Sequence, residues 1–103
     1  MPQYTIYETD DYLKWLETQT LKSRNQIQSR ILKIEDEGHF GHTKDLKKDG
    51  IWEMKFNDGR RIYYVVIPES KIILLLGGNK NGQSKDINQA ANILRKIIKD
   101  GSR

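Results

Sequence analysis

The sequence predicts an α+β fold in which an N-terminal strand and a helical hairpin pack on a small antiparallel sheet, followed by a C-terminal helix. Two patterns support this prediction. Apolar residues recur at helical spacing near both ends of the chain, and three central segments rich in β-branched and aromatic residues are separated by short turns. The 103 residues are enough for one modest core, so we expect a single domain over residues 1–103.

The N-terminal part predicts one strand and two helices. Alternation over residues 3–8 indicates a short strand, and Thr9 or Asp10 can cap the helix that follows it. A break at residues 18–20 separates this helix from a second one, which ends at Gly38. The apolar positions predicted to share the inner faces of the two helices are Tyr12, Leu13, Trp15, Leu16, Ile27, Ile31 and Ile34.

The remainder predicts a loop, three strands and a helix, which gives the order β-α-α-β-β-β-α. Residues 38–42 form a loop because of their glycines. Short connections join the three strands into an antiparallel meander. The strands cover residues 51–56, 60–67 and 71–76, the glycine- and asparagine-rich residues 77–82 form a turn, and residues 84–99 form an amphipathic helix.

Charge is unevenly distributed along the chain, whose formal net charge is +4. Residues 1–20 contain four acidic residues and one lysine, whereas residues 80–103 contain six basic and two acidic residues. A localised basic surface attracts a polyanion, so the C-terminal part is the expected nucleic-acid side. A solvated charged face with no such partner is the alternative.

Several classes of protein are disfavoured by composition. The chain has no cysteine, which excludes disulfides, thiolate nucleophiles and cysteine zinc sites. Its two histidines, His39 and His42, are too few to predict a metal cluster, and we expect neither a metal nor another cofactor. The longest apolar run is only strand length, and the N-terminal sequence has no secretory layout, so we expect a cytoplasmic protein that does not associate with membranes.

Basic residues cluster on the predicted sheet and beside the glycine turn. Lys55 and Arg61 fall on adjacent strands near one end of the sheet, where both can contact the same phosphates. Metal-free RNA cleavage needs alignment of the ribose 2′-hydroxyl, proton transfer and stabilisation of a charged phosphorane, and the last of these suits lysine and arginine. The further candidate phosphate ligands are Arg60, Lys80, Lys85 and Lys48.

Other candidate groups have a structural alternative that we favour. Glu53 shares a strand face with Lys55, so it either acts as a base or pairs with a basic neighbour, and we favour pairing. The two loop histidines can act as acids or bases, but exposed positions in the loop are the simpler expectation. Aromatic side chains that can stack on bases, but that suit a sheet core better, are Trp52, Tyr63 and Tyr64.

An ordered set of motifs over roughly residues 50–91 resembles a known family. The segments are Trp-Glu followed by a basic strand (52–55), Arg-Ile-Tyr-Tyr (61–64), a leucine strand (74–76), Gly-Gly-Asn-Lys (77–80), and a glutamine that leads into the last helix. Together they resemble the phage-derived HigB-like addiction-module killer proteins of the RelE/ParE toxin superfamily. The resemblance implies a RelE-like fold.

The same resemblance implies a function, a partner and catalytic residues. Toxins of this kind usually cleave mRNA on the ribosome and are neutralised by a small antitoxin that often carries a helix-turn-helix DNA-binding domain. Basic residues on the central strands carry catalysis, which indicates Lys55 and Arg61 here, with Arg60 and Lys80 as supporting phosphate ligands. The exposed apolar side of the C-terminal helix, or a sheet edge, can receive the antitoxin.

Two other functions remain as alternatives. A ParE-type toxin shares the fold but inhibits DNA gyrase by binding it as a protein partner. A non-catalytic module would hold nucleic acid or an acidic partner on its basic face, and its RNA binding would be sensitive to salt. The basic cluster favours the nuclease.

Overall fold

A computed structural model of the chain describes residues 3–101. It confirms the predicted α+β class and the predicted order of the main elements. The basic residue Arg103, counted above with the C-terminal segment, lies outside the described residues. The elements are β1 (Thr5–Glu8), α1 (Asp10–Glu17), α2 (Leu21–Glu37), β2 (Thr43–Asp45), β3 (Ile51–Lys55), β4 (Arg60–Ile67), β5 (Lys71–Asn79), a 3₁₀ turn (Lys80–Gly82) and α3 (Gln83–Gly101).

The five strands form one mixed sheet in the order β1-β5-β4-β3-β2. β1 runs parallel to β5, and all the other neighbours are antiparallel. The meander of β3, β4 and β5 is confirmed. Its register places Lys55 opposite Arg61, at the end of the sheet where β5 leads into α3.

Capping residues define the helical hairpin. The Thr9 hydroxyl accepts a hydrogen bond from the Tyr12 amide at 3.1 Å, which begins α1, and Thr20 does the same for the Ser23 amide at the start of α2. Gly38 ends α2 with φ of 68°, a left-handed conformation that favours glycine. The predicted cap at Gly38 is therefore confirmed.

Each face of the sheet carries its own apolar core. The hairpin covers one face, where helical residues such as Tyr12 and Ile31 pack with sheet residues such as Ile62. The helix α3 covers the other face, where Ala91 and its neighbours pack on strand residues such as Val65. The sheet is thus sandwiched between helices, and side chains of alternating position along each strand belong to opposite layers.

The structure corrects three local predictions. Thr43–Asp45 forms a short edge strand on β3 that was not predicted. Strand β5 continues to Asn79, so the first half of the predicted turn at residues 77–82 is strand. It continues because Gly77 and Gly78 pair with Ile62 and Arg61 of β4, and the missing side chains leave room for neighbours that pack against them. Leu13, predicted on the inner face of α1, is exposed.

Across residues 3–101, no helix is both long enough and apolar enough to cross a membrane.

Candidate active site

A buried carboxylate lies at the centre of the basic end of the sheet. Glu53 has no exposed surface, and it is placed on the α3 side of the sheet by the alternation of β3. A buried carboxylate is strongly disfavoured unless cations or hydrogen-bond donors surround it. Its immediate partners therefore define the chemistry of this region.

Two cations share the Glu53 carboxylate. Lys55 Nζ lies 3.9 Å from Glu53 Oε1, and Arg61 Nε lies 3.7 Å from the same oxygen. The side chains of Lys55 and Arg61 are 25% and 13% exposed, so both reach the surface while Glu53 does not. The predicted convergence of Lys55 and Arg61 is confirmed, as is the preference for Glu53 as a partner of basic groups.

The start of α3 contacts the Glu53 carboxylate. Asn79 accepts a hydrogen bond from the Asn81 amide at 2.9 Å and shapes the 3₁₀ turn that leads into the helix. This turn places Gln83, the first residue of α3, so that its Nε2 donates to Glu53 Oε2. One carboxylate oxygen is therefore held by an amide of α3, and the other faces the two cations.

Tyr63 and Asp86 are two further ionisable groups on the α3 side of the sheet. Burial, and next the charge of Glu53, raise the pKa of the Tyr63 hydroxyl well above its ordinary range. Tyr63 is fully buried, which keeps it from contact with a ligand on the surface. Asp86 packs over Gly78, and burial raises the pKa of its carboxyl, an effect that Lys85 partly opposes.

The side chain of Arg60 is not brought to this site. It lies on the hairpin side of the sheet, where its guanidinium pairs with Asp58 at 2.7 Å and donates to Ser23 and Gln26 of α2. It also lies 4.9 Å from the centre of the Phe56 ring. Because consecutive residues of a strand point to opposite faces, Arg60 and Arg61 serve different layers.

Of the remaining candidate lysines, two border the site and one does not. Lys80 and Lys85 are both exposed and, with Gln83, line a polar surface pocket of about 490 Å³. The Lys80 backbone amide donates a hydrogen bond to the carbonyl of Gly59, the residue before β4, at 2.9 Å. Lys48, predicted as a phosphate ligand, is not brought to the site, because it lies on the connection between β2 and β3, at the end of β3 opposite Lys55. Its Nζ instead donates to Asn88 of α3 at 2.9 Å.

The loop histidines and the other aromatic candidates lie elsewhere. His39 and His42 are exposed, as expected. Trp52 and Tyr64 line an aromatic pocket of about 360 Å³ on the hairpin face, on the opposite side of the sheet from Glu53. Among residues 3–101, no three histidine or acidic side chains are grouped closely enough to hold a metal ion.

Sequence reasoning missed two residues that organise the site. Arg30 of α2 donates to the carbonyl oxygens of Lys55 and His42, and so holds the end of β3 against the hairpin. Gln83 was noticed only as part of a motif. Its position four residues after the strand gave no indication that the turn would direct its side chain to Glu53.

The arrangement is suited to an anionic ligand. Two cations share one carboxylate, so the cluster keeps one net positive charge in a partly shielded environment, where charge interactions are stronger than in water. Lysine and arginine are the usual phosphate ligands of proteins. The exposed parts of Lys55 and Arg61 can thus contact a phosphate while their buried sides contact Glu53.

Comparison with known proteins gives a consistent result. Residues 14–96 match the family described as "Phage derived protein Gp49-like (DUF891)". An uncharacterized protein of Haemophilus influenzae is 35% identical over 88 residues, which cover 82% of this chain and 87% of that relative.

Solved structures share the fold at low sequence identity. A mutant of the E. coli toxin RelE in the free state has a TM-score of 0.64 and 16% identity, with 86% of this chain and 98% of that chain covered. The toxin–antitoxin complex RelBE of E. coli gives a TM-score of 0.62 at 18% identity, covering 74% of this chain and 95% of that one. The fold is RelE-like, and because the match to the family model covers most of the chain, the chain belongs to the phage-derived Gp49-like family.

Proposed function

We propose that the chain is the toxin of a type II toxin–antitoxin pair and that it cleaves mRNA without a metal ion. The observation that carries the proposal is the convergence of Lys55 and Arg61 on one end of the sheet, each partly exposed and each within 4 Å of the buried Glu53. Two fixed cations at the surface are the electrostatic part of a site for phosphate-ester cleavage.

In the proposed reaction the ribose 2′-hydroxyl loses its proton to solvent water and attacks the adjacent phosphorus. The bond to the 5′-oxygen of the next nucleotide breaks, and that oxygen takes a proton from water, which leaves a 2′,3′-cyclic phosphate and a 5′-hydroxyl end. Lys55 and Arg61 stabilise the negative charge that develops on the phosphorane oxygens. Lys80 and Lys85 hold flanking phosphates, because both are exposed beside Gln83. Glu53 is not assigned the proton transfer, since it has no exposed surface through which RNA could reach it.

The proposal includes a protein partner and a place of action. Structures similar to this chain include RelBE toxin–antitoxin complexes of E. coli and of Mycobacterium tuberculosis, the latter with a TM-score of 0.54. We therefore expect a cognate antitoxin, which the family resemblance predicts to carry a helix-turn-helix domain. Cleavage is expected on translating ribosomes, and hence in the cytoplasm.

Induced expression in a bacterium tests this function. Growth and primer extension on several abundant messages are compared for the wild-type chain, the Lys55→Ala/Arg61→Ala variant and a Lys71→Ala control. Lys71 is a suitable control because it is a partly exposed sheet lysine, paired with Glu69 at 3.5 Å, at the opposite end of β5. Wild type and control should arrest growth and produce new 5′ ends inside translated regions, and the double variant should do neither.

The other outcomes distinguish the alternatives. Growth arrest without new 5′ ends would contradict the nuclease and indicate a protein target such as DNA gyrase. An absence of growth arrest by the wild-type chain would contradict a toxin of either kind and favour a nucleic-acid-binding module.

A further inference from the structure

We propose that Glu53 and Gln83 form a positioning pair that holds Lys55 and Arg61 in the geometry required for RNA cleavage. This inference rests on the proposed function, which it deepens by assigning roles to two residues beyond the cationic pair. Neither residue is proposed to touch the RNA phosphate. Both act through the cations.

The burial of Glu53 separates positioning from direct catalysis. A general base must lie within hydrogen-bond reach of the proton that it removes, and the Glu53 side chain has no exposed surface. The cations that neighbour its Oε1 atom are themselves partly exposed, at 3.7 and 3.9 Å from that oxygen. The carboxylate therefore contacts the buried sides of the two cations, and their exposed sides contact the ligand.

Gln83 fixes the direction in which the carboxylate points. Its amide occupies Glu53 Oε2, which leaves Oε1 directed toward Arg61 and Lys55. Among residues 3–101, Glu53 Oε1 and Arg61 Nε are buried and have no conventional hydrogen-bond partner, so their 3.7 Å contact partly compensates the burial of both, and Lys55 Nζ adds a second cation at 3.9 Å from the same oxygen. Rotation of the carboxylate would remove that compensation.

The pair also ties two separate elements together. Glu53 belongs to β3 and Gln83 to the first turn of α3, so their hydrogen bond joins the sheet to the helix that follows the Lys80 turn. Lys55 and Arg61 lie opposite each other and carry like charges. Without the carboxylate between them, repulsion favours their separation, which displaces the groups that must contact one phosphate.

Cleavage kinetics test the positioning role. A defined mRNA on stalled ribosomes is cleaved in a single turnover by an excess of the purified chain. The rate constant is measured at several protein concentrations, which gives its maximal value and the half-saturating concentration separately. The variants are Glu53→Gln, which removes the charge at constant size, and Gln83→Leu, which removes the hydrogen bond. Gln89→Leu is the control, because it is an exposed glutamine on the same helix.

We expect Glu53→Gln and Gln83→Leu each to lower the maximal rate constant by about tenfold or more, with the half-saturating concentration changed by less than about twofold. The control should match wild type. Gln83→Glu, which puts two carboxylates in contact, should also be slow, and adding Glu53→Gln to it should restore part of the rate. Thermal unfolding confirms that each variant is folded at the assay temperature, and if Glu53→Gln is not, Gln83→Leu decides.

Each other outcome overturns a defined part of the account. A wild-type chain that cleaves no RNA would overturn the proposed function, and the positioning role with it. Cleavage by wild type and by both single variants at equal rates would overturn the positioning role alone. A change confined to the half-saturating concentration would also overturn that role, because it indicates a contribution to binding. A loss of rate that follows unfolding in both single variants would overturn it as well, because it indicates plain structural support.

Discussion

Lys55 of β3 and Arg61 of β4 are direct partners across two antiparallel strands, and both lie against one buried carboxylate. Removal of Lys55 should change the free energy of unfolding by less than about 1 kcal/mol, because its charge is partly solvated. Arg61→Ala should lower the free energy of unfolding by about 1–3 kcal/mol, since Arg61 is the less exposed of the two cations and its buried Nε is the closer one to Glu53. Both variants should remain folded, which circular dichroism and urea unfolding can check.

The same two variants should lose activity far beyond their loss of stability. We expect RNA cleavage to fall by about 100-fold or more for each, because fixed charges that stabilise a transition state contribute on this scale. Cleavage near the wild-type rate by folded Lys55→Ala would contradict the assignment.

Lys80 and Lys85 should contribute to RNA binding rather than to chemistry. Each lysine that contacts a phosphate releases condensed counterions, so its removal should reduce the salt dependence of binding by about 0.7 in the slope of log K against log salt. Fluorescence anisotropy with a short single-stranded RNA at several KCl concentrations measures this slope. Lys71→Ala is the matched control, and equal slopes for Lys80→Ala, Lys85→Ala and the control would exclude the proposed contacts.

The two glycines of β5 should tolerate a methyl group differently. A Cβ at Gly77 would lie 2.0 Å from the Trp15 ring, and a Cβ at Gly78 would lie 2.0 Å from Asp86 Oδ2. The Trp15 ring packs against the hairpin core, whereas the Asp86 carboxylate is the end of a side chain that can turn away. Gly77→Ala should therefore lower the free energy of unfolding by about 1–3 kcal/mol or more. Gly78→Ala should lower it by less.

Urea unfolding of both variants tests this order. Combining Gly78→Ala with Asp86→Ala should recover most of the stability lost in Gly78→Ala, because the colliding carboxylate is gone. Equal losses of stability in the two single variants, with no recovery in the combination, would show that contact with the Asp86 carboxylate does not cause the loss in Gly78→Ala.

Asp86 should make the protein less stable as the pH rises from acid toward neutral. Burial raises the pKa of Asp86 in the folded state, so the unfolded chain loses this proton at lower pH than the folded chain does. Between the two pKa values the unfolded state is favoured as the pH increases. The stability of Asp86→Asn relative to wild type should therefore grow from about pH 3 to about pH 7, as measured by urea unfolding. A constant or shrinking difference would contradict the shift.

Much of the fold was predictable because periodicity reports which side of an element is buried. The strand bounds at β4 and the break between α1 and α2 agree with the prediction, since strong alternation and a threonine cap are local signals. The edge strand Thr43–Asp45 was not predictable in this way. It is three residues long, and its existence depends on pairing with β3.

The glycines of β5 illustrate the opposite error. Gly77 and Gly78 have the composition of a turn, yet they pair with β4 and continue the strand. They are glycines because Trp15 and Asp86 occupy the space where side chains would lie. Only the packed structure reveals such a close approach.

The candidate site was predictable where strand alternation determines it and not where it depends on the docking of α3. Period two and a short connection were enough to bring Lys55 to Arg61. The separation of Arg60 from Arg61 follows from the same alternation, although the prediction grouped them. The hydrogen bond from Gln83 to Glu53 depends on how α3 docks on the sheet, which no local pattern encodes.

The most direct test of the central claim uses a substrate with one atom changed. A defined mRNA on stalled ribosomes is compared with the same message carrying a 2′-deoxyribose at the cleaved nucleotide, each treated with the purified wild-type chain. The account predicts cleavage of the first, leaving a 2′,3′-cyclic phosphate and a 5′-hydroxyl end, and no cleavage of the second at that position. Cleavage of the deoxy-substituted message at an equal rate would contradict attack by the 2′-hydroxyl, and with it the role proposed for Lys55 and Arg61.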